Sequence, residues 1–258
     1  MITLFKDVLN YRQMLVSVVR KNLRSRYKGS VLGFLWTFVN PLLQLLVYSI
    51  VFPLILKNNE ANYPMFLFVA LLPWIFFTTS IQMSTLSIVG EANLVKKIYF
   101  PRILLPLSVV CTNLMNYIFS LIIVFPALLM TGVSLSFNVF WLPVVLLIEF
   151  IFALGLSLIF SALYVRFRDL EHLVAILVML WFYLTPIVFK IDIFPEEIAN
   201  LIGYNPMVPI ITAFRDILLY GHSPNWMNLL YSIIVGVVLL IMGIIVFQKR
   251  EKTFAEEL

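Results

Sequence analysis

RKNLRSRYKGSVLGFLWTFVNPLLQLLVYSIVFPLIL, residues 20–56, joins a run of positive charge to an apolar stretch of membrane length. Arg20, Lys21, Arg24, Arg26 and Lys28 come first, and after Val31 no Lys, Arg, Asp or Glu occurs until Lys57. About 20 apolar residues cross the hydrocarbon of a bilayer. Residues 31–56 make about 39 Å of helix, so this helix must tilt or bend at Pro41. The junction repeats along the chain. Of 18 Lys and Arg residues, only Lys57, Lys190 and Arg215 lie outside four segments: 1–30, 91–102 (Lys96, Lys97, Arg102), 165–171 (Arg166, Arg168) and 248–258 (Lys249, Arg250, Lys252). Positive residues beside spans stay on the cytoplasmic side. An even number of crossings with both termini inside brings all four segments together. Six spans fit, over 31–56, 65–89, 103–130, 139–164, 172–190 and 227–247.

Composition agrees with an all-α integral membrane protein. With 62% hydrophobic and 12% charged residues and a mean hydropathy of +1.01, a water-soluble domain of 258 residues is excluded. The chain reads as a single transmembrane domain, residues 1–258, without internal repeats. Its net charge of +5 is a topology signal, and no nucleic-acid partner is expected. Cys111 is the lone cysteine, and no secretory signal is expected at the start.

Residues 3–28 predict a helix lying on the membrane. Leu4, Val8, Tyr11, Leu15 and Val18 share one face, and Lys6, Asn10, Gln13, Ser17, Arg20 and Arg24 share the other. Such a face fits either lipid or a protein surface. Residues 191–226 form the longest connection, on the outer side. Its apolar residues, divided by Pro195, Gly203, Pro206, Pro209 and Gly221, predict two short re-entrant or interfacial helices near 195–202 and 207–220 that cap the outer end of a pathway.

Span 1 carries a stripe of small and polar residues at helical steps: Gly29, Gly33, Thr37, Asn40, Gln44 and Tyr48. An amide facing lipid costs several kcal/mol, so this face meets protein or water. It reads either as hydrogen-bonding glue between helices or as the wall of a polar conduit, and its length favours the conduit. Further polar groups are Thr78, Gln82 and Thr85 in span 2, and Asn113, Asn116, Tyr117 and Ser120 in span 3. Span 5 ends in Trp181-Phe182-Tyr183, whose rings suit either lipid or sugar faces. Glu149 is the one carboxylate well inside a span, on a small-residue face with Ala153, Ser157 and Ser161. It fits a function or a packing role equally, whereas ion-coupled transporters carry several such groups. In span 6, Ser232, Gly236 and Gly243 predict close helix packing. The chain has no catalytic constellation, no metal site and no Walker A sequence, so ATP hydrolysis is not expected of it. In the inner loop EANLVKKIYFPR (91–102), Leu94, Ile98 and Tyr99 suggest an apolar face ringed by Glu91, Lys96, Lys97 and Arg102.

Four stretches together resemble the membrane permease subunit of ABC exporters for cell-surface polysaccharides such as O-antigen, capsule and teichoic acid. They are RSRYKGSVLGFLWTFVNPLLQ (24–44), NLVKKIYFPRILLPLS (93–108), RFRDLEHLVAILVMLWFYLTPIVF (166–189) and YNPMVPIITAFRDILLYG (204–221). The resemblance implies a homodimer with two ATPase subunits, which bind the ATP and Mg, so that no cofactor sits in this chain. It implies a location in the bacterial cytoplasmic (inner) membrane and a polysaccharide carried on a polyprenyl diphosphate. Glu91, Asn93, Leu94, Lys96 and Lys97 then match a helix that docks into the ATPase, and Arg166, Arg168 and Asp169 match a charged motif on the same side. Pro206, Pro209, Arg215 and Asp216 match an outer re-entrant segment. A tunnel beside spans 1 and 5 makes Gly33, Thr37, Asn40, Gln44, Tyr48, Trp181 and Tyr183 its wall. Arg24, Arg26 and Lys28 suit the anionic diphosphate, although topology anchoring also accounts for them. Other readings are an ABC exporter for drugs or lipids, an ion-coupled transporter and a membrane enzyme acting on lipid-linked sugars.

Overall fold

The computed structural model describes residues 6, 8–27, 29–56, 62–133 and 135–258, with the backbone alone described at Arg26, Tyr27, Phe34, 53–56 and Ala255. Among the described residues the secondary structure is entirely helical. Among the described residues, four helices have the length and composition to cross a membrane. They are α3 (Tyr63–Gly90), α5 (Leu104–Met130), α6 (Leu142–Tyr164, entered through a 3-10 turn at Phe137–Trp141) and α10 (Trp226–Glu251). The apolar runs 65–89, 103–130, 139–164 and 227–247 fall on them. The remaining helices are α1 (Arg12–Tyr27), α2 (Trp36–Leu56), α4 (Ala92–Lys97), α7 (Leu170–Tyr183), α8 (Glu196–Gly203), α9 (Met207–Leu218) and α11 (Phe254–Glu257).

Two expected spans differ from their helices. Gly29 and Gly33 adopt φ of +81° and +49°, and Gly33–Leu35 form a 3-10 turn, so the first long helix starts at Trp36 and not at residue 31. The span expected over 172–190 ends as a helix at Tyr183, because Pro186 disfavours helix at the preceding residue and lacks an N–H. Fourteen residues make about 21 Å of helix, short of a hydrocarbon core of roughly 30 Å.

The core is built on α3, where Phe66, Leu67, Ala70, Leu71, Phe77 and Ile81 are almost fully buried. Against it pack α6 and α9. The Phe77 and Phe152 rings stack at 5.2 Å, and the Ser157 hydroxyl donates to the Ser80 carbonyl at 3.3 Å. Of the two short helices expected in the longest connection, α9 has Met207, Ile210, Ile211 and Phe214 wholly buried, so it lies inside the protein. Its partner α8 leaves Ile198 and Leu201 exposed. Glu149 is also enclosed, and neither carboxyl oxygen has a hydrogen-bond partner among the described residues.

Helices α6 and α10 approach most closely, through small residues. A Cβ at Gly155 would lie 2.6 Å from the Leu240 nitrogen, and one at Gly243 would lie 2.6 Å from the Gly155 carbonyl oxygen. Ser232 and Gly236 continue the α10 face, both buried. Gly155→Ala and Gly243→Ala should each cost about 1–3 kcal/mol through overpacking, read as a lower melting temperature in detergent. Gly236→Ala, whose Cβ would sit 3.5 Å from Phe152, should change it little.

Candidate functional site

One face of α2 presents Thr37, Asn40, Gln44 and Tyr48 at steps of three, four and four. Thr37 and Asn40 line a cavity of about 420 Å³ with Thr79 of α3 and Asn113, Asn116, Tyr117 and Ser120 of α5. Gln44 and Tyr48 line a second cavity of about 370 Å³ with Thr78, Thr79 and Gln82 of α3 and Tyr183 of α7. Ile75 and Thr79 belong to both, so the polar lining continues from one to the other. The threonine and serine hydroxyls lie back on their own helices. Thr79 donates to the Ile75 carbonyl at 2.6 Å and Ser120 to the Asn116 carbonyl at 3.0 Å. Asn40 and Gln44 stay exposed, so both cavities open beside α2.

Two expected wall residues sit elsewhere. Gly33 belongs to the turn before α2 and lines neither cavity. Trp181 turns into the core, with its ring 5.2 Å from Phe77 and its indole N–H donating to Asn205 Oδ1 at 2.9 Å.

Asn205 is a residue the sequence reading passed over. Its side chain donates to the Leu184 carbonyl at 3.1 Å and to the Thr185 hydroxyl at 2.9 Å, and accepts from the Met207 N–H at 3.0 Å. The Asn-Pro pair at 205–206, a turn signal, was the available clue. Arg215 completes this arrangement. Only 5% exposed, it donates to the carbonyls of Pro186 at 2.6 Å, Ile187 at 2.7 Å and Phe66 at 3.3 Å, while its guanidinium lies 3.5 Å over the Phe66 ring. The Tyr63 hydroxyl donates to the Val188 carbonyl at 2.9 Å. Side chains thus satisfy the backbone where α7 breaks. Pro209 is buried beside them, and the Pro206 carbonyl accepts from the Ser232 hydroxyl at 2.7 Å. Burial raises the Asp216 carboxyl above its ordinary value, with His222 and Arg215 pulling it back.

At the opposite end one apolar cluster gathers Ile88, Val95, Phe100, Ile103, Val165, Phe247 and Phe254, with Tyr11 and Leu15 packed on it. It holds the four basic segments at a single end of the protein. Along residues 8–25, Val8, Tyr11, Leu15 and Val18 are half-buried, whereas Asn10, Gln13, Ser17, Arg20 and Arg24 are exposed. The expected apolar face of this segment therefore meets, at Tyr11 and Leu15, the chain's own body. Lys21 pairs with Glu91 at 2.6 Å, tying α1 to the start of α4. Arg26 is described only as helix backbone, and Lys28 lies outside the described residues.

In α4 the apolar anchor is Val95, 3% exposed, with Leu94 half-buried. Ile98 and Tyr99 do not share that face as expected. The chain turns extended at Ile98 (φ −128°, ψ 135°), leaving the two side chains 55% and 93% exposed. Asn93, Lys96 and Lys97 form the outward face. Arg166, Arg168 and Asp169 are exposed, Arg168 lies 5.4 Å over the Tyr164 ring, and the Asp169 carbonyl accepts from His172 and Leu173 at the start of α7. Among the described residues, no three His, Cys, Asp or Glu side chains come together as metal ligands.

The sequence pattern of the ABC-2 type transporter family matches residues 13–219. The chain is 39% identical over 264 residues to the O-antigen export system permease protein RfbA of Myxococcus xanthus, with both chains covered in full. It is 36% identical over 245 residues to RfbA of Klebsiella pneumoniae, covering 94% of each chain. It is 22% identical over 239 residues to the polysialic acid transport protein KpsM of Escherichia coli, covering 90% of this chain and 91% of that one. The match across most of its length places the chain in the ABC-2 type transporter family.

Proposed function

We propose that this chain is the permease subunit of an ATP-driven exporter that moves a lipid-linked cell-surface polysaccharide across the bacterial cytoplasmic (inner) membrane. The names of its end-to-end relatives support the cargo class. The observation that carries the reading is the continuous polar lining along α2. A glycan passing through hydrocarbon needs amides and hydroxyls along its whole path, because each unsatisfied polar group there costs several kcal/mol.

Residues 1–258 act as one transmembrane domain with six crossings and both termini in the cytoplasm. Helices α2 and α7 are the two remaining crossings, and α7 is the short one. Residues 184–190 complete the path of α7, and non-helical backbone is tolerated at that depth because Asn205, Arg215 and Tyr63 satisfy its carbonyls. Helix α9 is the re-entrant piece, while α1 and α8 lie at the two interfaces. Exposed apolar residues of α2 (Leu43, Leu46, Ile50) and α7 (Leu173, Ile176, Leu180) form the face on which a second copy closes the path. Asn40, Gln44, Tyr48 and Tyr183 then line it, and Trp181 braces its outer end.

Two ATPase subunits dock on the outward face of α4, at Asn93, Lys96 and Lys97, and on Arg166, Arg168 and Asp169. They carry the ATP and Mg. Their movement reaches α3 and α5 through Val95 and reaches α1 through the Lys21–Glu91 pair. Arg24, Arg26 and Lys28 attract the diphosphate of the carrier lipid, for which guanidinium forks are suited.

Extracted in mild detergent with its membrane neighbours, the chain should bring an ATPase subunit with it. Lys96→Glu combined with Lys97→Glu should weaken that association and stop export, and full turnover by vesicles holding this chain alone would refute the reading. Asn40→Leu combined with Gln44→Leu should lower polymer export about tenfold at unchanged protein level, equivalent to roughly one lost polar contact in the transport barrier. Arg215→Met should cost at least about 3 kcal/mol, from carbonyls orphaned at roughly 1–3 kcal/mol each, and should lower the melting temperature sharply. Arg215→Lys should not rescue it, because an ammonium cannot reproduce the planar fork.

A further inference from the structure

At the end that carries the basic segments, a groove of about 750 Å³ lies between the 98–102 connection, Tyr11 and the last turns of α10. Arg102 forms its floor. The backbone N–H of Arg102 donates to Glu251 Oε1 at 3.0 Å, and its guanidinium donates to the Glu251 carbonyl. The one carboxylate lining the groove is therefore engaged within the chain. Lys249 and Lys252, which also line it, are exposed and form no ion pair among the described residues.

These lysines end a longer pattern. Val238, Met242, Ile245, Lys249 and Lys252 recur along α10 at steps of four, three, four and three, and so share one face. The first three are 49%, 49% and 45% exposed, and Ile234, one turn further out, is 54% exposed. From Ile234 to Ile245 this strip runs about 16 Å. An apolar strip that leads into a cationic groove flanked by Tyr11 and Tyr99 has the order of a phospholipid: acyl chain, interface, phosphate. Positive charge alone does not single out this place. Lys96 and Lys97 are equally exposed at the same end, yet they do not line this groove.

We propose that this groove holds the phosphate head group of an anionic phospholipid whose acyl chains lie along the Ile234–Val238–Met242–Ile245 strip. The site is separate from the cavities beside α2 and does not depend on what the protein transports. A lipid seated there joins the 98–102 connection, which follows α4, to the end of α10.

The test uses the full-length chain reconstituted into phosphatidylcholine vesicles containing a minority of phosphatidylglycerol. After mild re-extraction, the lipid retained by the protein is quantified by mass spectrometry. The wild type should retain phosphatidylglycerol in excess over phosphatidylcholine. Lys249→Gln with Lys252→Gln should reduce that excess by about fivefold for each lysine, at an unchanged melting temperature. Lys96→Gln with Lys97→Gln, which removes the same charge from the same end, should leave it intact. Equal retention of the two lipids by the wild type would overturn the proposal, as would equal losses in the two double variants. Displacement of phosphatidylglycerol by added polyprenyl diphosphate would also overturn it, by assigning the groove to a carrier lipid instead.

Discussion

Buried backbone must find its hydrogen bonds within the protein, and in this chain that requirement is hardest to meet just after Tyr183. Helix α7 stops there, and the carbonyls of Leu184, Pro186, Ile187 and Val188 lose the partners that a continuing helix would supply. All four are recovered by side chains from elsewhere: Asn205, Arg215 at two of them, and Tyr63. A buried arginine is costly unless its donors are used. Here its fork takes three carbonyls while its plane rests on Phe66, so the desolvation of the cation and the orphaned carbonyls offset each other. This closure explains why α9, which delivers Arg215, lies within the core.

The end that gathers the basic segments is organised differently. The Lys21–Glu91 pair is solvent-accessible, and such pairs contribute about 0–1 kcal/mol. Burial of Val95 contributes on the order of 1.5–3 kcal/mol. The apolar anchor therefore fixes α4 on the body, Tyr11 and Leu15 hold the neighbouring N-terminal segment there, and the ion pair adds little. The outward face of Asn93, Lys96 and Lys97 is thus held on a small anchor.

Much of this was readable from the sequence. The four long helices follow from hydropathy, the gathering of basic segments at one end follows from their spacing, and the two faces of residues 8–25 follow from periodicity. Short-range signals also placed α8 and α9, through their flanking prolines and glycines. What could not be read was pairing at a distance. Apolar composition runs unbroken through Thr185-Pro186, so the end of α7 was hidden. Arg215 looks like any loop arginine until Pro186, Ile187 and Phe66 stand beside it. Trp181 and Tyr183 are two residues apart, about 200° around α7, so one faces the core and the other a cavity, and which side meets the core shows only in the fold. Gly33 fitted a helical stripe by spacing, whereas its positive φ serves a turn.

The contrast in packing bears on which parts can shift against each other. Between α6 and α10, backbone meets backbone at Gly155 and Gly243, with no room for even a methyl group, and close-packed contacts of this kind do not deform gradually. Helix α3 is sealed between α6 and α9 by stacked rings and buried aliphatics. Helix α2 is bordered on its inner side by two cavities, and much of its outer side is exposed. A sideways movement of α2 therefore breaks few dispersion contacts, while the same movement of α10 would drive atoms into overlap. The polar face of Thr37, Asn40, Gln44 and Tyr48 thus sits on a loosely packed helix, against a wall from α3 and α5. The two cavities therefore lie between one loosely packed wall and one closely packed wall.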